Sequence, residues 1–492
     1  MTQADGSRHD IVLEANTYDP AGNLSKQVTG GGATTQTFTV DELGRTLTST
    51  LDPSGLNRTA SYVYDGDDRV KEQTQTIAGS KKLTTVSDYD TAGNVVRESV
   101  TDGTTTHVTT ATYDKRGLPL TTVSPRGNVS GANASAYTTT YRYDALGRPV
   151  QQTAPDVQAE ENGAAATTVR PTTLTGYNTF GEVTETKDPR GKVTRAELDR
   201  LGRPTAVTLP DYTPPGAGTA LTATTRTTYT ALGLPQTVTD PLGRITRYAY
   251  DQFGRLTAQT DPVAGAAAAM AAETDSDLLN PTSADGAGVT RHTWTPTGLQ
   301  LSVTDQMGAR TESTYDELGR QLTNTTVERY PSLTNLVSRY TWDDASNQTA
   351  STTPAGITTT STYNAAGEAK AVTNPVGTTR FDYDGLGRQT ETTDATNRRT
   401  TVAYDALGNA VTTTEYGTGT TALRTTSAEY DVEGNRVAAI SARNQARTTY
   451  AYGDQDVCGR GRRIPPELHG LPSGVRRYPY SGRSSGGTLS VP

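Results

Sequence analysis

The sequence of 492 residues is poor in cysteine, histidine and long apolar runs. Its one cysteine, Cys458, excludes an internal disulfide framework and a zinc site with several cysteine ligands. The four histidines, His9, His107, His292 and His469, show no spacing typical of metal ligands. No apolar run approaches the ~20 residues that a membrane-spanning helix needs. These absences exclude disulfide-rich, multi-cysteine zinc and helical membrane proteins.

Apolar residues are scarce as well, at 33% of the chain with a mean hydropathy of −0.60. That composition is too polar for a solid core of this size. The net charge of −8 argues against a nucleic-acid partner, because phosphate binding relies on clustered Lys and Arg. The N-terminus lacks a signal peptide. The product is therefore intracellular, or it uses another export route, or its natural start lies upstream. We expect the last, because nothing before Tyr18 has the form of a capping unit.

One motif is abundant: Tyr-Asp-x-x-Gly-Arg, as in residues 250–255. Its copies recur most often every 20 to 22 residues, which is typical of repeat architectures. We count seventeen, numbered here in chain order as copies 1 to 17 and beginning at Tyr18, Val40, Tyr64, Tyr89, Tyr113, Tyr143, Tyr177, Leu198, Tyr229, Tyr250, Trp294, Tyr315, Trp342, Tyr363, Tyr383, Tyr404 and Tyr430, with a degenerate eighteenth at Tyr452.

The motif predicts a tight hairpin turn, called the YD turn below. Its second residue can accept a hydrogen bond from a backbone N–H nearby, whether it is Asp or one of the four exceptions, Asn178, Asn364, Thr230 and Thr295. The fifth residue is Gly in all copies but two, which have Asp68 and Ser346, and we expect positive φ there. Together these residues indicate a type I turn closed by a left-handed residue.

The flanking residues read as strands, because aromatic residues alternate with others and Thr and Val fill much of the rest. A second turn lies between copies, where Pro presets φ and Gly closes the turn. It reads Asp52-Pro-Ser-Gly55, Asp188-Pro-Arg-Gly191, Asp240-Pro-Leu-Gly243, Thr353-Pro-Ala-Gly356 and Asn374-Pro-Val-Gly377. We therefore predict an all-β fold: a repeat array of antiparallel hairpins coiled into a spiral or barrel-like hollow shell.

Three regions follow from this pattern. Residues 1–17 are a lead-in with one short strand at Ile11-Val-Leu13, and residues 18–452 are the repeat shell. Residues 453–492 change abruptly to Arg, Gly and Pro and lose strand alternation, so we predict a disordered tail that a frameshift produced. A basic tail could alternatively bind nucleic acid or a membrane.

Six repeats are longer than the others, those starting at Tyr113, Tyr143, Leu198, Tyr250, Tyr315 and Tyr404. Their extra residues fall in the second turn and never in the YD turn. If alternate turns lie on opposite edges of the sheet, every long loop decorates one edge. Such loops either bind a partner or are tolerated surface insertions.

No catalytic, cofactor-binding or metal-binding residue is assigned. A Ser-His-Asp set has no nucleophile-elbow motif to support it. The repeated Asp side chains resemble a row of calcium ligands, but turn closure explains them without a metal, since Asn and Thr do the same in other copies. The Arg after the Gly could pair with the turn Asp. The repeated aromatic residues could stack on sugars, but they are better explained as packing of the wall.

Repeated Tyr-Asp-x-x-Gly-Arg, as in residues 143–148 and 383–388, resembles the RHS/YD-repeat family over residues 18 to 452. The resemblance implies a large hollow β-shell. In bacteria it implies secreted or wall-associated toxins whose shell encloses a variable C-terminal toxic domain. Animal relatives are adhesion receptors, and some members are described as carbohydrate-binding. The family's cleavage motif contains Asp-Pro-x-Gly-Leu, which Asp52-Pro-Ser-Gly-Leu56 matches, but its early position indicates an ordinary turn.

Our leading hypothesis is therefore a non-catalytic shell fragment of an RHS-type toxin or wall protein, secreted or at the cell surface as part of a longer protein. Its expected partner is an encapsulated toxin domain that this chain lacks. The second hypothesis is a module that binds glycan or a cell surface. The third is an enzyme, which would need a convergent cluster of titratable side chains inside the shell.

Overall fold

The computed structural model describes residues 11–159, 167–213, 219–262, 288–328, 334–442, 445–451 and 462–463. These ranges contain thirty-eight β-strands, three 3-10 helices of a single turn and no α-helix. The 3-10 helices are Gly30–Gly32, Pro125–Asn128 and Ala134–Tyr137. Most of the predicted tail lies outside the described residues.

The strands have the following bounds. The first twelve are β1 Glu14–Tyr18, β2 Leu24–Thr29, β3 Thr34–Val40, β4 Thr46–Leu51, β5 Arg58–Tyr64, β6 Val70–Ala78, β7 Lys81–Tyr89, β8 Val95–Thr101, β9 Thr106–Tyr113, β10 Pro119–Val123, β11 Thr138–Tyr143 and β12 Pro149–Thr153. The middle group is β13 Val157–Ala159, β14 Thr167–Val169, β15 Thr172–Tyr177, β16 Val183–Lys187, β17 Val193–Leu198, β18 Pro204–Thr208, β19 Thr224–Tyr229, β20 Pro235–Thr239, β21 Ile245–Tyr250, β22 Leu256–Thr260, β23 Val289–Trp294, β24 Gln300–Thr304, β25 Arg310–Tyr315 and β26 Gln321–Glu328. The last group is β27 Thr334–Trp342, β28 Gln348–Thr352, β29 Thr358–Tyr363, β30 Ala369–Asn374, β31 Gly377–Tyr383, β32 Gln389–Thr393, β33 Arg399–Tyr404, β34 Ala410–Tyr416, β35 Ala422–Tyr430, β36 Arg436–Ile440, β37 Arg447–Ala451 and β38 Arg462–Arg463.

Thirty-six of these strands form one sheet in which each strand pairs antiparallel with its neighbours in the chain. The exceptions are β13 and β14, which form their own hairpin, so that β12 pairs with β15. The predicted all-β array of hairpins is confirmed. Its wall is thin: the buried apolar residues of the described ranges are Ile77, Ala206, Ala249, Ala258, Val289, Ala406 and Ala438. Consequently a chain with little apolar material can build it.

The YD turns have the predicted geometry in all seventeen copies. The fifth residue has positive φ throughout, including Asp68 at 64° and Ser346 at 65°. In copy 10, Gly254 N–H donates to the carbonyl of Asp251 at 3.0 Å, and Asp251 Oδ1 accepts from the N–H of Phe253 at 2.9 Å and of Arg255 at 3.0 Å. Each turn is followed by a bulge in the strand register, as expected for this hairpin type.

Two local predictions were wrong. The lead-in strand begins at Glu14 rather than at Ile11, because Glu14 is the first residue opposite Thr29 in the ladder. In the turn after copy 2 the Gly55 N–H donates to the Asp52 carbonyl at 3.1 Å, but Gly55 is not the last residue of the turn: positive φ falls at Asp52, 46°, and at Asn57, 48°. There the Asp52 carboxylate accepts the Leu56 N–H at 2.9 Å and its carbonyl accepts the Asn57 N–H at 2.8 Å, which makes a wider loop.

The sheet coils past one full revolution. We call residues 14–328 the first coil and residues 334–451 the second coil. The turn of copy 13 lies against the second turn that follows copy 1, since an added Cβ on Gly31 would stand 2.5 Å from Cβ of Asp344. Copies 14, 15 and 17 likewise meet the second turns after copies 2, 3 and 5. Twelve repeats therefore complete a revolution, and alternate turns lie on opposite edges of the wall, as predicted.

Candidate functional site: the inter-repeat ladder and the seam

Most YD turns are closed by a side-chain pair between their second and sixth residues; the exceptions include copies 5, 9 and 11, where the sixth residue is Leu. In seven copies this pair is Asp and Arg, with N–O distances of 2.5 to 2.7 Å: Asp41–Arg45, Asp65–Arg69, Asp144–Arg148, Asp199–Arg203, Asp251–Arg255, Asp316–Arg320 and Asp384–Arg388. The hydrogen bond from Arg203 holds the pKa of Asp199 below its ordinary value. The pairing of Arg with the turn Asp is thus confirmed.

Other copies use chemically matched substitutes. Where the sixth residue is Asn, its amide donates to the Asp, as Asn94 does to Asp90 at 2.9 Å. Where the second residue is Asn, the sixth is Glu and the direction reverses, as in the bond from Asn178 to Glu182 at 2.6 Å. The carboxylate is therefore a turn-closing group, and its partner in these copies is a side chain.

The aromatic first residue ties each repeat to the one before it. In thirteen copies the Tyr hydroxyl or Trp indole N–H donates to the carbonyl of the seventh residue of the preceding copy, at 2.7 to 3.1 Å. Tyr64, for example, donates to Thr46 at 2.8 Å. The repeated aromatic residues are therefore part of the wall.

The Arg of one turn also reaches the next repeat, which sequence reasoning missed. Its guanidinium lies over the following aromatic ring in six copies, at 4.4 Å for Arg203 over Tyr229 and 4.6 Å for Arg148 over Tyr177. In several copies it donates to the carbonyl of the next turn's second residue, as Arg388 does to Asp405 at 2.9 Å. Each such Arg thus joins its own Asp to the neighbouring repeat, and we call these contacts, together with the Tyr and Trp hydrogen bonds between repeats, the ladder along this edge of the wall.

Charged residues also join the two coils, along a line that we call the seam. Arg58 donates to both carboxylate oxygens of Glu368, at 2.9 and 2.7 Å. Arg126 pairs with Asp431, and with Glu433 at 3.4 Å. Burial would raise the pKa of Asp431, but hydrogen bonds from Arg126 and from backbone N–H groups outweigh it, so the pKa lies below its ordinary value.

Backbone groups complete the seam. The Gly385 N–H donates to the carbonyl of Ile77 at 2.5 Å, and an added Cβ on Gly385 would lie 2.1 Å from the carbonyl oxygen of Thr76. Thr34 Oγ1 donates to the carbonyl of Ala365 at 2.7 Å. In each contact the third residue of a YD turn meets the edge of the first coil, so one docking mode repeats along the seam.

The long loops all lie in second turns, as predicted. Two of them pack together: Arg170 pairs with Asp156 at 2.8 Å and donates to the carbonyls of Ser135 at 2.7 Å and Thr138 at 3.0 Å. A third loop carries a bridge between Tyr212 and Leu221. Much of the remaining inserted sequence lies outside the described residues.

The two histidines in the described ranges, His107 and His292, make contacts within the wall and at the seam. His107 Nδ1 lies 2.7 Å from the carbonyl of Val432 at the seam, and His292 lies beside Trp294, with ring centroids 6.5 Å apart. Within the described ranges no three His, Cys, Asp or Glu residues gather as a metal site would require. Those ranges also contain no helix with the length and apolar character to cross a membrane. Cys458, His9 and His469 lie outside the described residues.

Comparison with known proteins agrees with this architecture. A family profile described as "RHS Repeat" matches residues 177–214, 221–266 and 363–399, which hold copies 7 to 10, 14 and 15. No curated protein sequence matches. A solved TcdB2–TccC3–Cdc42 structure is similar over 88% of this chain and 24% of its own, with a TM-score of 0.66 and 15% identity.

Two more solved structures share the fold. The Photorhabdus luminescens Tc holotoxin pore is similar over 88% of this chain and 23% of its own, with a TM-score of 0.66 and 16% identity. TcdB2–TccC3 without its hypervariable C-terminal region is similar over 89% of this chain and 26% of its own, with a TM-score of 0.62 and 15% identity. The chain thus spans about a quarter of the length of each of these structures.

Proposed function

Because the chain belongs to the RHS-repeat proteins, we propose that it is a stretch of the wall of a hollow shell that encloses a polypeptide cargo. The cargo would be a toxic domain of the same or an associated polypeptide, and the wall itself would have no catalytic role. The observation that carries this proposal is the seam, because it turns a ribbon of hairpins into a closed wall.

The dimensions fit a polypeptide cargo. From the second turn after copy 1 to the turn of copy 13 the sheet contains twenty-three strands, β3 to β27 without β13 and β14. At about 4.8 Å per strand they give a circumference of roughly 110 Å and a diameter of roughly 35 Å. A wall about 10 Å thick leaves a lumen about 25 Å across, which is wider than the ~10–12 Å of a helix.

The neighbours support the same kind of role. One of them is a Tc holotoxin pore and another is a TcdB2–TccC3 protein without its hypervariable C-terminal region, and both have the same repeat fold. By analogy we place this wall in a secreted protein of which the chain is one part. Glycan binding, the second hypothesis, is favoured by no described contact, since the repeated aromatic side chains are engaged in the ladder.

The test is protection of a linked cargo. A disordered, protease-sensitive reporter would be fused to the C-terminus of the full chain, and its digestion followed beside that of the free reporter. We expect the fused reporter to be digested several-fold more slowly. The variant R58E/R126E opens the seam and should abolish this protection. Equal digestion of free and fused reporter, with the repeats intact, would refute enclosure.

A further inference from the structure

The two faces of the wall differ in the side chains they present. In each strand that leads into a YD turn, the first residue of the motif lies on one face, called the aromatic face below, and the residue before it lies on the other. The residue before it is exposed in fifteen of the seventeen copies, whereas the first residue is exposed only at Tyr18. Side chains crowd together on a concave face, so the aromatic face should be the inner one.

The chirality of the backbone gives the same assignment. The Asp251 N–H donates to the carbonyl of Arg255 in the next strand at 2.9 Å, and the backbone groups of Ala249, two residues earlier, point the same way. In an L-residue the side chain has a fixed direction relative to its own backbone N–H and C=O groups. An observer on the side-chain side of Ala249, with the YD turns upward, therefore sees the next strand on the right.

The rows of paired residues show how the wall slopes in that direction. Thr228 lies opposite Thr237, and Thr237 lies opposite Arg247, so relative to such a row each YD turn stands two residues higher than the one before. The second coil lies below the first, so the rows descend as the chain advances. Strands of right-handed twist wind round a closed wall as right-handed helices, and seen from outside the rows across them descend to the right. The outside is therefore the side of Ala249, and the aromatic face lines the lumen.

A cavity of about 510 Å³ lies between copies 9 and 10 on the aromatic face. Its size is within the range of about 300–1,000 Å³ that is typical of ligand sites. The sixth residue of copy 9 is Leu, whereas in copies 6 and 8 an Arg at this position covers the next aromatic ring at 4.6 and 4.4 Å. The side chains that define the cavity are uncharged: Tyr229, Leu232, Leu234, Gln236, Tyr248 and Tyr250.

Tyr250 takes less part in the ladder than the other aromatic first residues. Among those of copies 3 to 17 in the described ranges, it alone makes no hydrogen bond to the preceding repeat. Burial, and to a lesser extent Tyr248, raises the pKa of its hydroxyl. A site of this kind suits an aromatic ring that carries a polar atom, because the ring can stack on tyrosine and the polar atom can reach the hydroxyl.

An adjoining coil does not fill such a cavity. Between copies 14 and 15, where the sixth residue is Glu368, an equivalent cavity of about 390 Å³ lies at the seam. The first coil contributes Leu56 to its lining, and Phe381 and Tyr383 stand at the positions of the two tyrosines of copy 10. The cavity between copies 9 and 10 therefore does not depend on a free edge.

We propose that the cavity between copies 9 and 10 binds an aromatic side chain of the polypeptide inside the lumen. This inference rests on the proposed function, since the enclosed cargo supplies the polypeptide. Because the six side chains are uncharged, the cavity selects a ring rather than a charge.

The first test uses N-acetyltryptophanamide, which carries an indole ring on a neutral backbone. Its binding to the full chain is followed by saturation-transfer NMR, and we expect saturation at one site. The variant T230D/L234R gives copy 9 the Asp–Arg pair of copy 8, so its guanidinium should cover Tyr250 and fill the cavity. The Kd should rise by roughly tenfold, the loss of an aromatic contact, without a loss of stability to urea.

The matched control is T295D/L299R, which makes the same change in copy 11. There the next aromatic residue, Tyr315, already donates to the carbonyl of Gln300 at 2.7 Å. The control should bind the probe as the parent does.

The second test places a photoreactive benzoylphenylalanine in the disordered reporter fused to the full chain. Crosslinks should concentrate on copies 9 and 10 in the parent and in the control, and should be lost there in T230D/L234R. The reporter should resist digestion equally in all three, because the wall is intact in each.

Probe binding that is the same in T230D/L234R as in the parent would overturn the proposal, and so would crosslinks spread evenly over the repeats. Binding of chitotriose, a neutral glycan, in place of the probe would assign the cavity to sugars instead. A reporter digested as fast as the free reporter would refute the enclosing shell, and with it the enclosed polypeptide as the occupant, even where the probe still binds.

Discussion

Arg58 and Glu368 form a two-point ion pair across 310 residues of chain, and the pair holds the second coil on the first. Their side chains are only 13% and 18% exposed, so water screens the pair weakly. Glu368 also accepts the amide of its turn partner Asn364 at 2.7 Å. One carboxylate therefore closes its own turn and joins the two coils.

This pair should make the seam sensitive to acid. Burial would raise the pKa of Glu368, but hydrogen bonds from Arg58 and Asn364 outweigh it, so the pKa lies below its ordinary 4.5. A carboxyl with a lowered folded-state pKa stabilises the fold above its unfolded pKa, and this stability is lost as pH falls through the folded value. We therefore expect the seam to weaken as pH falls below the ordinary 4.5.

The measurement is the midpoint temperature of thermal unfolding at pH values from about 7 to about 3. The parent is compared with the variant R58M/E368M, in which this site no longer titrates. Acid should lower the midpoint of the parent further than that of the variant. If both midpoints fall in parallel, Glu368 contributes nothing to the pH dependence.

Gly385→Ala tests the seam without altering the turn. The substitution produces Tyr-Asp-Ala-Leu-Gly-Arg, the natural sequence of copy 6 at residues 143–148. The turn should therefore tolerate it, but the new Cβ would lie 2.1 Å from the carbonyl oxygen of Thr76. We expect a loss of about 1–3 kcal/mol in the free energy of unfolding, as for other overpacked sites.

Urea unfolding measures the change in the free energy of unfolding. Hydrogen exchange of the backbone amide at position 385 shows whether the contact at the seam is weakened. Ala145→Gly in copy 6 is the matched control, since its turn is the same but lies outside the seam, and it should show only the small backbone cost of a glycine. A seam of the described geometry cannot leave G385A as stable as the parent.

Much of the wall followed from the sequence because each turn is determined locally. An Asp that accepts backbone N–H groups and a Gly at positive φ fix the hairpin within six residues, as at Asp251 and Gly254. The same reasoning predicted positive φ at Asp68 and Ser346, and this prediction is confirmed. The predicted width of the second turn at Asp52 was wrong, because a Pro-x-Gly pattern does not show whether the loop extends to Asn57.

The seam could not be predicted, because it depends on how many repeats complete a revolution. That number follows from small twists added over many strands, and no motif encodes it. A signal was nevertheless present: the third turn residue is small in copies 14 to 16, as Ala365, Gly385 and Ala406. In the first coil it is often large or charged. Small residues at one repeat position over consecutive copies mark a covered edge.

Arg148→Lys should show that the ladder needs a guanidinium rather than a charge. Lys can still pair with Asp144, but it loses the planar group that lies 4.6 Å from the Tyr177 ring centroid and the second donor to the Asn178 carbonyl. We expect a loss of about 0.5–1 kcal/mol, typical of such a contact. Urea unfolding of the full chain provides the measurement.

Arg244→Lys is the matched control for the ladder. Arg244 makes the same pair with Asp240 at 2.6 Å in a second turn, and no cation–ring contact of the described residues involves it. Its replacement should change the free energy of unfolding very little. Equal effects at Arg148 and Arg244 would mean that ring stacking contributes nothing.

Gly254→Val should be costly because Gly254 has φ of 77°, which a β-branched residue adopts poorly. An added Cβ would also lie 3.3 Å from Leu234 Cδ1. We expect a loss larger than the ~1 kcal/mol of ordinary substitutions. Since neighbour contacts dominate the stability of repeat proteins, proteolysis should open the chain near Tyr250 while distant repeats stay protected.

Ser346→Gly and Asp68→Gly are the reciprocal changes, since each introduces the residue that positive φ favours. Ser346→Gly should therefore stabilise its turn. Asp68→Gly should be nearly neutral, because it also removes the exposed ion pair with Arg45 at 2.5 Å, and such a pair is worth at most about 1 kcal/mol. If Gly254→Val leaves protease protection near Tyr250 unchanged while Ser346→Gly brings no gain, left-handed φ at the fifth residue does not govern the stability of these turns.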